Sequence, residues 1–89
     1  MREPLNYAVM KHMLKVNEAC AADVMEALKG EYSNHKMFKP AAVQEMLMVG
    51  LANGLVEESR FDLDENNNLR VYYKITEYGN DTVRSYLKV

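Results

Sequence analysis

The residue types that most often carry chemistry are sparse in this chain and poorly spaced for it. Cys20 is the single cysteine of the 89 residues, and the two histidines, His12 and His35, are widely separated. Nothing here has the ligand spacing of a zinc or iron site. Cys20 lies among alanines with no histidine near it in sequence, so it reads as a small buried hydrophobe rather than a nucleophile. One cysteine leaves no partner for an internal disulfide and fits a reducing compartment. No glycine-rich phosphate loop and no nucleophile–base pair occurs. The carboxylates of the segment 57–65 read as a solvated face rather than an acid/base pair. The sequence predicts no catalytic residue, no metal, no cofactor and no enzyme.

Charge is the remaining source of chemistry. The chain is 48% hydrophobic and 27% charged with a formal net charge of -2, and its pI is near 5.6. That balance argues against a generally basic coat for nucleic acid, so any such binding needs a local patch. The segment 33–53 supplies one, with Lys36 and Lys39 against Glu45 for a net of +1. The segment 55–76 sets three cations against five acids, a net of -2. The composition is that of an ordinary folded domain, and 89 residues are enough for one core. No apolar run approaches the roughly 18–20 residues of a membrane span, so no membrane role is expected. Glu3, Pro4 and Asn6 interrupt the opening MREPLNYAVM where a secretory leader would be apolar. A cytoplasmic location is the expectation.

The elements that must position these residues follow from period and punctuation. Residues 1–20 read as a first helix with Pro4 in its first turn and a stripe through Leu5, Ala8, Val9, His12, Met13 and Val16. A second stripe, Tyr7, Met10 and Leu14, is covered either by the terminal helix or by a partner chain. Asn17 is the candidate cap of a second helix, EACAADVMEALKGEY, which buries Ala21, Val24, Met25 and Leu28 and stops at Gly30. The polar connection Ser33-Asn34-His35-Lys36 leads to a third helix, KPAAVQEMLMVGLANGLV, with Pro40 in its first turn and Gly54 at its exit. Its core stripe is Val43, Met46, Leu47 and Leu51, and Gly50 marks a close packing contact.

The period then changes to two. LVEESRFDL and LRVYYKIT flank a turn at 64–68 and read as a β-hairpin. Pairing Leu63 with Leu69 sets Phe61 opposite Val71 and Ser59 opposite Tyr73 on the buried face, with Leu69, Val71, Tyr73 and Ile75 inward. The outer face then pairs Asp62 with Arg70, Arg60 with Tyr72 and Glu58 with Lys74. Thr76 caps a last helix, EYGNDTVRSYLKV, with Val83, Tyr86 and Leu87 apolar. No repeat or linker divides the chain, so residues 1–89 form one domain.

Three segments carry a resemblance. AADVMEAL looks like the first helix of a helix-turn-helix, and KPAAVQEMLMVGLANGLVEE is similar to a recognition helix running into a wing. VYYKITEYGNDTVRSYL resembles the second wing strand, the Leu-Thr-x-x-Gly turn and the following helix. Together they resemble winged helix-turn-helix transcription regulators of the MarR and PadR type. The resemblance implies an α+β fold of three helices, a two-stranded β-hairpin wing and a C-terminal helix. It also implies that the third helix enters the major groove of double-stranded DNA. Carried across by position, the DNA-facing residues are Lys39, Ala41, Ala42, Gln44, Glu45 and Met48. Gln44 would read an adenine edge and Lys36 and Lys39 would hold phosphate, with His35 contacting phosphate when protonated and Asn34 a further DNA-binding residue.

A weak or dimer-dependent DNA-binding regulator is therefore expected. The alternative is a winged-helix module that binds another protein through the third helix or the wing, without DNA. A homodimer would use the surplus apolar positions Tyr7, Met10, Leu14, Val83, Tyr86 and Leu87, holding two third helices about one DNA turn apart.

Overall fold

Pro4 takes a polyproline-like conformation (φ -55°, ψ 147°) at the head of the first helix, and its carbonyl accepts the amides of Tyr7 and Ala8 at 3.0 Å. The computed structural model describes residues 3–87. In order these form α1 (Leu5–Met13), α2 (Ala21–Tyr32), α3 (Pro40–Ala52), β1 (Val56–Leu63), β2 (Leu69–Ile75) and α4 (Glu77–Leu87). This is the expected order of three helices, a hairpin and a terminal helix. Leu5, Ala8, Val9 and Met13 of α1 meet Val24 of α2 and Val43 and Leu47 of α3 in one core, closed by Val56, Tyr73 and Val83. No helix of the described residues is long and apolar enough to cross a membrane.

The first helix is shorter than its apolar period suggests. It ends at Met13 because the chain must reach the sheet: Ala19 pairs with Tyr73, each amide donating to the other carbonyl at 2.9 Å. That bridge supplies partners for the Tyr73 backbone, which a longer helix would leave unpaired. The cap of α2 is accordingly Cys20 rather than Asn17, and its amide donates to the Asp23 carboxylate at 3.2 Å. Gly30 does not stop α2, which runs on to Tyr32. Val24 is fully buried, whereas Ala21, Met25 and Leu28 are only partly so. The deepest residue at the far end is Tyr32, whose hydroxyl donates to the Glu3 carbonyl at 2.6 Å.

Lys39 caps α3 with extended backbone and Pro40 begins it, as its fixed φ favours. Val43 and Leu47 have no exposed surface. Gly50 permits a close approach of α3 to α1, since a Cβ there would stand 2.9 Å from the Met10 methyl carbon.

The hairpin register agrees with expectation from the turn as far as Arg60 and Tyr72, then slips. Leu63, Asp62, Phe61 and Arg60 face Leu69, Arg70, Val71 and Tyr72, and an irregularity between Glu58 and Arg60 then leaves Ser59 unpaired. Tyr73 therefore faces Glu58 rather than Ser59, and Lys74 faces Glu57 rather than Glu58. A bulge of this kind adds one residue to one strand and shifts every pair beyond it. The inward assignment holds only at the base. Tyr73 is buried, but Phe61 is 73% exposed and Leu69 62%, because no helix lies beneath the outer half of the hairpin. Tyr72, assigned outward, is 9% exposed beneath the Arg60 guanidinium, 3.8 Å from its ring centre.

Thr76 joins the wing to α4. Its hydroxyl accepts the Gly79 amide at 2.8 Å and donates to the Gly54 carbonyl at 2.6 Å. A Cβ at position 79 would collide with the Leu55 carbonyl, so this turn requires glycine.

Candidate nucleic-acid interface

The turn between α2 and α3 is built by its own backbone. The His35 amide donates to the Tyr32 carbonyl at 2.8 Å, and the Phe38 amide to the His35 carbonyl at 3.0 Å. The His35 ring is part of this turn, since Nδ1 accepts the Met37 amide at 3.1 Å and the ring lies 6.1 Å from that of Tyr32. An imidazole in that role shapes the connection and is not aimed at a ligand. On either side of it, Asn34, Lys36 and Lys39 are exposed, and so is Ala41 one residue into α3.

Lys36 and Lys39 have no salt-bridge partner among the described residues. The first turn of α3 holds no acid. The unbonded amides there carry the positive end of the helix dipole, which adds to the lysine charge. This end of α3 is thus a small, uncompensated positive surface.

Further along α3 the surface changes. Gln44 is half-buried and its Nε2 donates to the Tyr73 hydroxyl at 2.9 Å. Its amide joins α3 to the base of the wing, and it would have to leave that bond to touch a base. Glu45 is exposed, and Met48 and Val49 are each 53% exposed. The residues predicted to contact DNA therefore divide. Asn34, Lys36, Lys39 and Ala41 lie together at the outer approach to α3, while His35 and Gln44 are engaged in holding the fold.

The wing presents the opposite electrostatics. Arg60 Nε meets Glu18 at 2.7 Å, Arg70 Nε meets Asp62 at 2.8 Å, and Lys74 meets Glu57 at 3.6 Å. Hydrogen bonds from Ser59 and Arg60 hold the Glu18 carboxyl below its ordinary range. Arg70 does the same for Asp62. At the tip Asp64 is a turn residue: Oδ1 accepts the amides of Asn66 and Asn68 at 2.8 and 2.9 Å, which lowers its pKa. Sequence reasoning missed the part played by Glu18 and Ser59. They meet across |i−j| = 41, and no local pattern marks such a contact.

The predicted dimer positions are largely used within the chain. Met10 is 9% and Val83 5% exposed, and the rings of Tyr7 and Tyr86 meet edge to face with centres 6.3 Å apart. Leu14 is half-buried, and the side chain of Leu87 lies outside the described residues. The terminal helix thus returns over the second stripe of α1. An open groove of about 580 Å³ remains between α1, α3 and α4, with Glu45 the single charged side chain lining it among the described residues.

No protein-family model and no curated protein matches the chain. Solved structures do. The chain is similar to Bacillus subtilis PadR, a structure in complex with operator DNA, at 19% identity and a TM-score of 0.74 over 93% of this chain. It spans only 46% of that protein's length. It is also similar to a transcriptional regulator homologue from Pyrococcus horikoshii, at 19% identity and a TM-score of 0.70 over 97% of this chain and 75% of the other. A PadR-like transcriptional regulator from Bacillus cereus gives 14% identity and a TM-score of 0.70, over 94% and 78% of the two chains. At these identities the similarity carries the fold, which is a winged helix.

Proposed function

We propose that the chain is a non-enzymatic, cytoplasmic winged-helix regulator that binds double-stranded DNA through the N-terminal end of α3. The observation that carries this reading is the pair Lys36 and Lys39, exposed, without an acidic partner among the described residues and set before a first turn that has no acid. Helix amides and lysines together suit phosphate. The similarity to PadR, solved in complex with operator DNA, supports DNA as the ligand. Asn34 and Ala41 flank the contact. His35 supports it through the turn, and Gln44 holds the angle between α3 and the wing. The chain acts as one unit over residues 1–89, as a homodimer. Tyr7, 40% exposed, and Tyr86, 73% exposed, are the dimer positions that keep substantial surface for a partner.

Fluorescence anisotropy on random-sequence duplex at several salt concentrations tests this. Each phosphate neutralised contributes about -0.9 to the slope of log affinity against log salt, so a dimer using both lysines should give roughly -3 to -4. Lys36→Ala with Lys39→Ala should bring the slope near zero. A strictly monomeric species in light scattering at high micromolar concentration would remove the dimer. Absence of binding at low salt would move the function to a protein-interaction module.

A further inference from the structure

We propose that Glu18 and Asp62 decide which cations of this domain reach DNA, because they hold the guanidinium groups of Arg60 and Arg70 on the wing and away from phosphate. The inference rests on the DNA-binding reading above and adds a division of labour to it. The wing carries three cations, Arg60, Arg70 and Lys74. All three face carboxylates.

The two arginines are held from several sides. Arg60 lies 2.7 Å from Glu18 and 3.5 Å from Asp62, and stacks 3.8 Å over the Tyr72 ring. Arg70 donates to Asp62 through two nitrogens, Nε to Oδ1 at 2.8 Å and Nη2 to Oδ2 at 3.2 Å. Single exposed ion pairs contribute little, but two-pronged arginine pairs linked in a network are stronger. Here Asp62 links the two arginines into one network.

The anchor at the far end is firm. The Ser59 hydroxyl donates to Glu18 at 2.7 Å, and Ser59 is the residue that the strand irregularity leaves without a cross-strand partner. Ala19, next to Glu18, is bonded on both sides to Tyr73. Glu18 is therefore fixed to the sheet by its neighbour and to the bulge by its carboxylate. Two arginines against two acids leave this surface neutral, and the tip adds Asp64 and Glu65. Contact with DNA then falls to Lys36 and Lys39.

The test compares the native chain with Glu18→Gln, Asp62→Asn and the double variant, on random-sequence duplex over a series of salt concentrations. Circular dichroism first establishes that each variant is folded. The double variant should bind more tightly than the native chain, with a slope steeper by about 0.9 for each arginine released per protomer. In the native background, Arg60→Gln with Arg70→Gln should leave the slope unchanged, which tests the inference even if the acid variants fold poorly. Two results overturn the inference and leave the DNA reading standing. One is native binding that the folded acid variants leave unaltered. The other is a native slope flattened by the arginine substitutions. Absence of binding by the native chain and the double variant alike overturns both.

Discussion

The approach to α3 and the wing carry similar numbers of cations, two lysines against two arginines and a lysine, yet only the first is electrostatically open. The difference lies in what surrounds them. Lys36 and Lys39 bracket a turn whose bonds are made by backbone and the His35 ring, and neither has a salt-bridge partner among the described residues. Arg70 and Lys74 sit on paired strands opposite Asp62 and Glu57, where cross-strand neighbours are set about 5 Å apart and opposite charges meet, and Arg60 is met by Glu18 from the connection before α2. A count of charge along the chain therefore says less about ligand binding than the number of charges left without a partner. The two regions differ in packing as well. Around α3 the side chains reach zero exposure, while the outer wing leaves Phe61, Leu63 and Leu69 more than half exposed.

The largest expected effect tests that packing difference. Leu47→Ala should cost about 2–5 kcal/mol, because the site is fully enclosed and the cavity cannot collapse freely. Phe61→Ala removes a larger side chain but should change stability by no more than about 0.5 kcal/mol. Urea unfolding of the two variants measures both, and equal losses would break the distinction between the anchored helix and the free wing.

The link between the regions should show a smaller effect. Thr76→Ala removes the hydroxyl that accepts the Gly79 amide and should cost about 1 kcal/mol, as helix caps do, with a lower thermal midpoint. Tyr73→Phe leaves the Gln44 amide without its hydroxyl partner and should cost about 0.5–1.5 kcal/mol. A Tyr73→Phe domain of native stability would mean that Gln44 is free of the wing.

The smallest effect is on pH dependence. Glu18 and Asp62 have folded-state pKa values below their ordinary ones, chiefly through hydrogen bonds from Ser59 and Arg70. Their stabilisation is therefore present above the ordinary carboxylate range and is lost as pH falls through the lowered values. The stability gap between the native chain and Glu18→Gln should hold from neutral pH to about pH 5 and close as pH drops below about 4. A gap that persists unchanged to lower pH would show that the carboxylate charge plays no part.

Much of the fold was legible because its signals are local. Proline at the start of α3, the change from helical period to alternation at the hairpin, and Thr76 three residues before Gly79 each act within a few positions of chain. The register near the wing tip was legible for the same reason, since opposite charges at 62 and 70 need only a short turn between them. The candidate site was half legible. Lys36 and Lys39 stand out as cations without nearby acids, but His35 and Gln44 carry no sequence mark of the bonds that occupy them.

The sequence alone determined the order of elements, the buried Leu5, Ala8, Val9 and Met13 of α1 and Val43 and Leu47 of α3, and the small basic patch before α3, because apolar period and helix punctuation are properties of neighbouring residues. Tertiary structure decided the rest. It ended α1 at Met13 so that Ala19 could pair with Tyr73, slipped the strands at Ser59, brought Tyr86 of α4 against Tyr7, and brought Glu18 to Arg60 across 42 positions of chain. Each of these joins groups distant in sequence, and their partners are defined only once the helices have packed and the hairpin has docked against them.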